Sequence, residues 1–310
     1  PTPKVSTVIT GLEVPMGIET DQRGDIWVAE TGTAKNDGKV VVVTKNHGMF
    51  QAYDAIVNLS SIKNALSNED EGPAHLLLDH NMLFVLAGDY LYSVNLANFK
   101  PGDAPLDGSK LPFEDIGSWV RSQNIVTPND SHPYDLTKGP DGKLYITDAG
   151  ANAIIRRNAK DNYTILAKFP NFPNPTQVGP PVIQRVPTGI IWDGHEFLVT
   201  TLTGFPFVPG QAVIYKVSIM GNVSVCSQGL STLVDIAPQV FLGIPVLSYG
   251  SFGQTGFEPK TGSLSLVMGN YKKEIVSGIN MPVGIKQING SSWYISSMGD
   301  GSILKVTYNY

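Results

Sequence analysis

The chain has almost no cysteine. Its one thiol, Cys226, excludes a disulfide within the chain and a thiolate zinc site. Cys226 sits in the alternating run Val223-Ser224-Val225-Cys226, which reads as a buried strand thiol and not a nucleophile. Charge is scarce as well. Charged residues make up 16% of the chain, the net charge is −5, and no block of Lys or Arg occurs, which argues against nucleic acid as a partner. No apolar run reaches the length of a membrane span. The standard catalytic signatures are missing too: there is no G-x-S-x-G, P-loop, H-E-x-x-H or dinucleotide fingerprint where its mechanism would need it. No cofactor and no metal site is therefore assigned from the sequence. Met is absent at position 1, and the start Pro1-Thr2-Pro3-Lys4 reads either as the end of a trimmed signal peptide or as an arbitrary starting point of the chain.

Glycine (32) and proline (22) are plentiful, which favours many short strands joined by tight turns. One phrase recurs. Val14-Pro15-Met16-Gly17-Ile18 precedes Gly24-Asp25-Ile26-Trp27-Val28. His132-Pro133-Tyr134-Asp135-Leu136 precedes Gly142-Lys143-Leu144-Tyr145-Ile146. Val186-Pro187-Thr188-Gly189-Ile190 and Met281-Pro282-Val283-Gly284-Ile285 repeat the pattern, each followed by a second strand. Self-similarity at about 40–60 residues marks a radial repeat. The reading is an all-β, six-bladed β-propeller forming one domain over 1–310. Its blades span roughly 10–58, 72–96, 132–169, 186–226, 232–276 and 281–308, with a long insertion at 97–130. The last blade has three strands, and Val5-Ser6-Thr7-Val8-Ile9 alternates correctly to supply the fourth, closing the ring and removing an open sheet edge.

A closed propeller predicts where ligands bind. The innermost strand of each blade lines a central channel, and the loops at one face carry the site. On this basis His75, His132 and Tyr134 are the candidate catalytic donors, His75 and His132 occupying matching places in adjacent blades. Each imidazole has a second reading, bonded to a neighbouring carbonyl inside the ring. Glu71, Thr188 and Asp235 are placed at the same channel mouth as substrate-binding groups. The run Leu202-Thr203-Gly204-Phe205-Pro206-Phe207-Val208-Pro209-Gly210 is a stiff apolar flap. It reads either as a plug over the next blade or as a pocket wall, in which Phe205, Phe207, Tyr249 and Trp192 would face an apolar, ring-bearing molecule. Glu30, Glu71, Asp148 and Asp235 are the acids that a hard cation would need to bring together. Sequons at Asn58, Asn129, Asn162, Asn222 and Asn289 point to a glycoprotein of the secretory pathway, secreted or in the ER lumen.

His132-Pro133-Tyr134 with Gly139-Pro140-Asp141-Gly142 and Thr147-Asp148-Ala149-Gly150-Ala151-Asn152, and Val186-Pro187-Thr188-Gly189 with Leu202-Thr203-Gly204-Phe205-Pro206-Phe207, resemble the scytonemin-biosynthesis (ScyD/ScyE-like) propeller family. The likeness covers residues 5–230 best. The second and fifth blades depart from it in lacking the Pro-Asp-Gly turn. Secreted fungal proteins of this kind include propellers similar to the hetero-Diels–Alderases of tropolone–sesquiterpenoid biosynthesis, which join a quinone-methide-type diene to a humulene-type olefin. The resemblance therefore implies a cofactor-independent pericyclase acting on apolar small molecules; it carries no catalytic residue over. Two other functions fit the sequence: a metal-dependent hydrolase or lactonase of the gluconolactonase-like type, and a non-enzymatic small-molecule-binding propeller.

Overall fold

The structure, a computed structural model, describes residues 2–310; Pro1, and with it the reading of a trimmed start, lies outside them. Six antiparallel sheets of four or more strands follow one another around a channel. The inner strands are Pro15–Thr20, Pro73–Asp79, Pro133–Lys138, Pro187–Trp192, Leu233–Ile236 and Pro282–Asn289. Each opens on a Pro, or on Leu233 in the fifth blade, because the leading residue needs no ladder hydrogen bond there. Ladder register slips just after each of these first residues, so every inner strand carries a bulge at its upper end.

Lys4–Ile9 pairs antiparallel with Ser302–Thr307, so the first strand completes the last blade and locks the ring. Two features differ from the sequence reading. The insertion at 97–130 is not only a loop. Its Phe113–Asp115 strand pairs with Tyr90–Asn95 as the fourth strand of blade 2, and Leu106–Asp107 adds a parallel fifth strand to blade 1. The helix Ile116–Ser122 follows, capped by the Asp115 carboxylate, which accepts from Ser118 N–H. It packs Ile116 and Val120 between blades 2 and 3 rather than covering the channel. Blade 5 also carries a small hairpin, Phe252–Gly253 with Gly256–Phe257, between its second and third strands.

The core lies in the wedges between adjacent blades, where Val, Ile and Leu of the second and third strands are fully buried. Cys226 is half-buried on the outer strand of blade 4, not fully buried as its alternation predicts. Among the described residues no helix is long and apolar enough to cross a membrane.

Candidate functional site

Two sites flank the middle of the channel. At the upper end, where the inner strands begin, the residues after the leading prolines close the bore. Ala74, Tyr134 and Val283 are buried there, packed with Met16, Ala149, Tyr249 and Met298. Outward from this plug runs a continuous chain of aromatic rings. Tyr249 meets Phe257 at 4.7 Å between centroids, Phe257 meets Phe207 at 4.8 Å and Phe252 at 5.1 Å, and Phe252 reaches Phe205 at 5.8 Å. Offset and edge-on rings at such spacings attract beyond their buried area. Beside Phe205 and Phe252 lies a groove of about 500 Å³, walled by Val178, Pro206, Val208 and Pro209 as well. Phe205 is 47% exposed in it, with its ring edge-on to Phe207 and Phe252.

His132 stands on the same face, 25% exposed at its side chain, with Nδ1 at 3.2 Å from Glu71 Oε1. Glu71 is itself held by Asn64, whose Nδ2 donates to Oε1 at 2.7 Å. Burial pushes the Glu71 pKa up, while His132 and Asn64 pull against that shift. The contact sets the imidazole against Glu71 with a quarter of the side chain open to solvent. Tyr134 lies between the two histidines, with centroids 6.0 Å from His132 and 4.6 Å from His75. Burial raises the Tyr134 pKa well above that of a free phenol and pushes the Tyr249 hydroxyl up to about 12, so both stay protonated donors.

His75 belongs to the other site. Two residues after each leading position the six strands carry Gly17, His75, Asp135, Gly189, Asp235 and Gly284. At Gly17 a Cβ would come within 2.7 Å of the His75 Cα, and at Gly189 within 2.8 Å of Asp235, so glycine there admits the neighbour's side chain to the bore. His75, Asp135 and Asp235 converge, with ligand atoms within 4.8 Å of one another. Each carboxylate ties two blades together. Asp135 accepts from its own Leu136 N–H (2.7 Å) and from Ile190 N–H of the next blade (3.0 Å). Asp235 accepts from Ile236 N–H (2.8 Å) and Ile285 N–H (2.8 Å) in the same way. Burial by itself would lower the His75 pKa, but the charges of Asp135 and Asp235 outweigh it and push it up to about 9. Burial pushes Asp135 up to about 7 against the attraction of His75.

These three groups form the floor of a polar funnel of about 480 Å³ that opens on the lower face, among the hairpin turns. Its walls include Trp192, Glu19 and Lys286, the last two paired at 2.8 Å.

The sequence-derived site residues are therefore split. His132, Tyr134, Glu71, Tyr249, Phe205 and Phe207 share the upper face. His75, Asp235 and Trp192 line the lower funnel, and His75 does not match His132 in place, because it lies one layer deeper. Thr188 is buried, with Oγ1 donating to the Leu233 carbonyl at 2.9 Å, so its hydroxyl serves the joint between blades 4 and 5. The acids grouped as possible cation ligands do not meet. Glu30 accepts from Glu13 N–H, Asp148 from Ser131, His132 N–H and Ala151 N–H, and Glu71 from Asn64; only Asp235 reaches the channel cluster. Phe252 and Phe257 are not assigned from the sequence, and Asp135, which the sequence places near the channel mouth, is given no role there. Asp135 was legible by aligning the repeats, since it occupies the glycine position of the Pro-x-Gly phrase. The five sequon asparagines, Asn58, Asn129, Asn162, Asn222 and Asn289, are all exposed.

No protein-family model and no curated relative matches the sequence. Solved structures do match over the whole chain. A PQQ-bound aldose sugar dehydrogenase from Streptomyces coelicolor is 14% identical, with 99% of this chain and 98% of that one covered and a TM-score of 0.61. A putative gluconolactonase is 12% identical, with 99% and 92% covered and a TM-score of 0.57. Virginiamycin B lyase from Staphylococcus aureus is 12% identical, with 99% of both chains covered and a TM-score of 0.55. At these identities the likeness is one of fold, and the chain has the six-bladed β-propeller architecture.

Proposed function

We propose that this propeller is a secreted biosynthetic enzyme that guides a hetero-Diels–Alder cycloaddition between two apolar partners, a quinone-methide-type diene and a terpene-type olefin. The observation that carries the reading is the unbroken run of rings from Phe205 to Tyr249, which ends on the apolar plug that includes Tyr134, whose ring lies 6.0 Å from that of His132. Such a reaction needs no nucleophile; it needs two reactants held in a near-attack pose. Prepaid orientation can supply up to about 7–11 kcal/mol of the barrier. The groove offers flat apolar walls for this, and its Pro206 and Pro209 stiffen the backbone that carries them.

As the diene oxygen gains negative charge, a positioned donor stabilises it. One such donor is worth about 3–4 kcal/mol in a site of low polarity. His132 is the accessible candidate, oriented by Glu71, with the Tyr249 hydroxyl as the second. The likeness to the scytonemin-type propellers and the exposed sequons support a secreted natural-product enzyme. Lyase and dehydrogenase activities occur among proteins of this fold, which is compatible with an enzyme on this architecture.

The test is direct. The purified protein, a quinone-methide precursor and a humulene-type olefin are incubated together, and product is followed by chiral chromatography. The expected result is one stereoisomer formed faster than in the absence of protein, with Phe205→Ala and Phe207→Ala folding normally but binding ligand more weakly. A racemic product at the background rate, or wild-type affinity in both variants, would remove the reading.

A further inference from the structure

We propose that His75, Asp135 and Asp235 bind one divalent first-row transition ion at the centre of the propeller, reached through the lower funnel. This site is separate from the upper-face groove, and the proposal stands whether or not the cycloaddition reading does.

Three observations carry it. First, the donor atoms converge from three blades, with all three side chains buried and within 4.8 Å of each other. Second, His75 is only 4% exposed, yet neither ring nitrogen has a hydrogen-bond partner of good geometry; Asp235 Oδ2 lies 3.5 Å from Nε2. Buried polar atoms almost always find partners, so an orphaned imidazole facing two carboxylates marks a missing ligand. Third, the four backbone N–H groups that bond the two aspartates act as an outer shell. Each carboxylate oxygen already accepts one amide hydrogen, which fixes the carboxylates in orientation and leaves each suited to a one-oxygen contact.

The donor set also selects the ion. One imidazole nitrogen and two single carboxylate oxygens suit Zn²⁺, Mn²⁺ or Co²⁺, with water from the funnel completing the shell. Calcium needs six to eight oxygens, more than this cluster offers. Charge is compatible with this: two carboxylates and a neutral imidazole balance a divalent ion and leave no net buried charge. Glu19 and Lys286 in the funnel wall neutralise each other, so the path to the cluster is not closed to a cation.

The experiment begins with full-length protein stripped by chelator and checked by circular dichroism. Co²⁺ is titrated in while visible absorption is recorded, and Zn²⁺ binding is measured by calorimetry. The expected result is one equivalent of either ion, with cobalt ligand-field bands, and at least a 100-fold loss of affinity in His75→Gln. In His132→Gln, altered only on the opposite face, uptake should be unchanged. Should His75→Gln fail to fold, X-ray absorption of the zinc-loaded wild type decides, since imidazole scattering is expected around the ion. A folded wild type that takes up no ion at millimolar concentration would overturn the proposal. Binding that survives in His75→Gln, or a zinc shell without imidazole, would do the same by marking an adventitious ion.

Discussion

The two ends of the channel are made by the same six strands and have opposite chemistry. Above, Met16, Ala74, Tyr134 and Val283 close the bore with apolar bulk, and aromatic rings extend the surface outward. Below, an open funnel has charged His75, Asp135, Asp235, Glu19 and Lys286 set among apolar strand residues. The difference arises over a few residues of each strand. Successive strand residues point to opposite sides, and a bulge after each leading residue resets which of them faces the axis. A propeller therefore does not have one channel environment. It has layers, and a shift of one residue along the strand moves a side chain from an apolar lid to a polar core.

The sharpest way to break this contrast is to remove the upper-face donor. His132→Leu keeps bulk but has no hydrogen-bond donor, and turnover should fall by about 10²–10³. Steady-state kinetics on the cycloaddition would show it mainly in kcat; an unchanged kcat would take His132 out of the chemistry. Next in size is the ring chain. Phe207→Ala removes the ring that touches Phe205, Phe252 and Phe257, and should weaken binding of the apolar partner by about ten- to a hundredfold, as burial of one aromatic side chain contributes about 1.5–3 kcal/mol. Equilibrium binding by fluorescence would check this, and wild-type affinity would contradict it.

A smaller effect sharpens the comparison from the side of stability. Glu30 ends the second strand of blade 1, and burial pushes its pKa from the ordinary 4.5 up to about 7. Between those values the folded state keeps a proton that the unfolded chain has lost, so stability falls as pH rises from about 4.5 to 7 and then levels off. Glu30→Gln should flatten that slope and gain on the order of 2 kcal/mol at pH 8. Denaturant melts across this range would measure it, and an unaltered slope would deny Glu30 the role. The smallest effect is expected from Trp192→Ala. Its ring packs on Phe197 and lines the lower funnel, so cycloaddition rates should not move. A clear loss of activity would place the reaction at the wrong end of the channel.

Much of the architecture is legible in the sequence, because each blade repeats a Pro-led phrase and the orphan alternation of Val5–Ile9 has one partner to find. Faces were harder to read. His75 and Trp192 both lie on inner strands, and nearness to the channel does not say at which depth. Trp192 ends a six-residue strand, so at roughly 3.3 Å per residue it sits more than 15 Å from the leading Pro187, on the far face. His75 falls below Tyr134 because it lies two residues past its leading Pro, the glycine position of the repeat, whereas Tyr134 lies one past its own. Phe252 and Phe257 escaped notice because they ride on a hairpin inserted in the blade whose repeat is most degenerate, where the period gives no guide. The fourth strand of blade 2 was hidden for a similar reason: it follows a detour through blade 1 and is only three residues long.

The most direct test of the upper-face account is a crystal structure with the cycloaddition product bound. The account predicts the product's rings against Phe205, Phe207 and Phe252, with its oxygen within hydrogen-bond distance of His132 or Tyr249. Density for the product in the lower funnel, against Trp192 and Lys286, would contradict it.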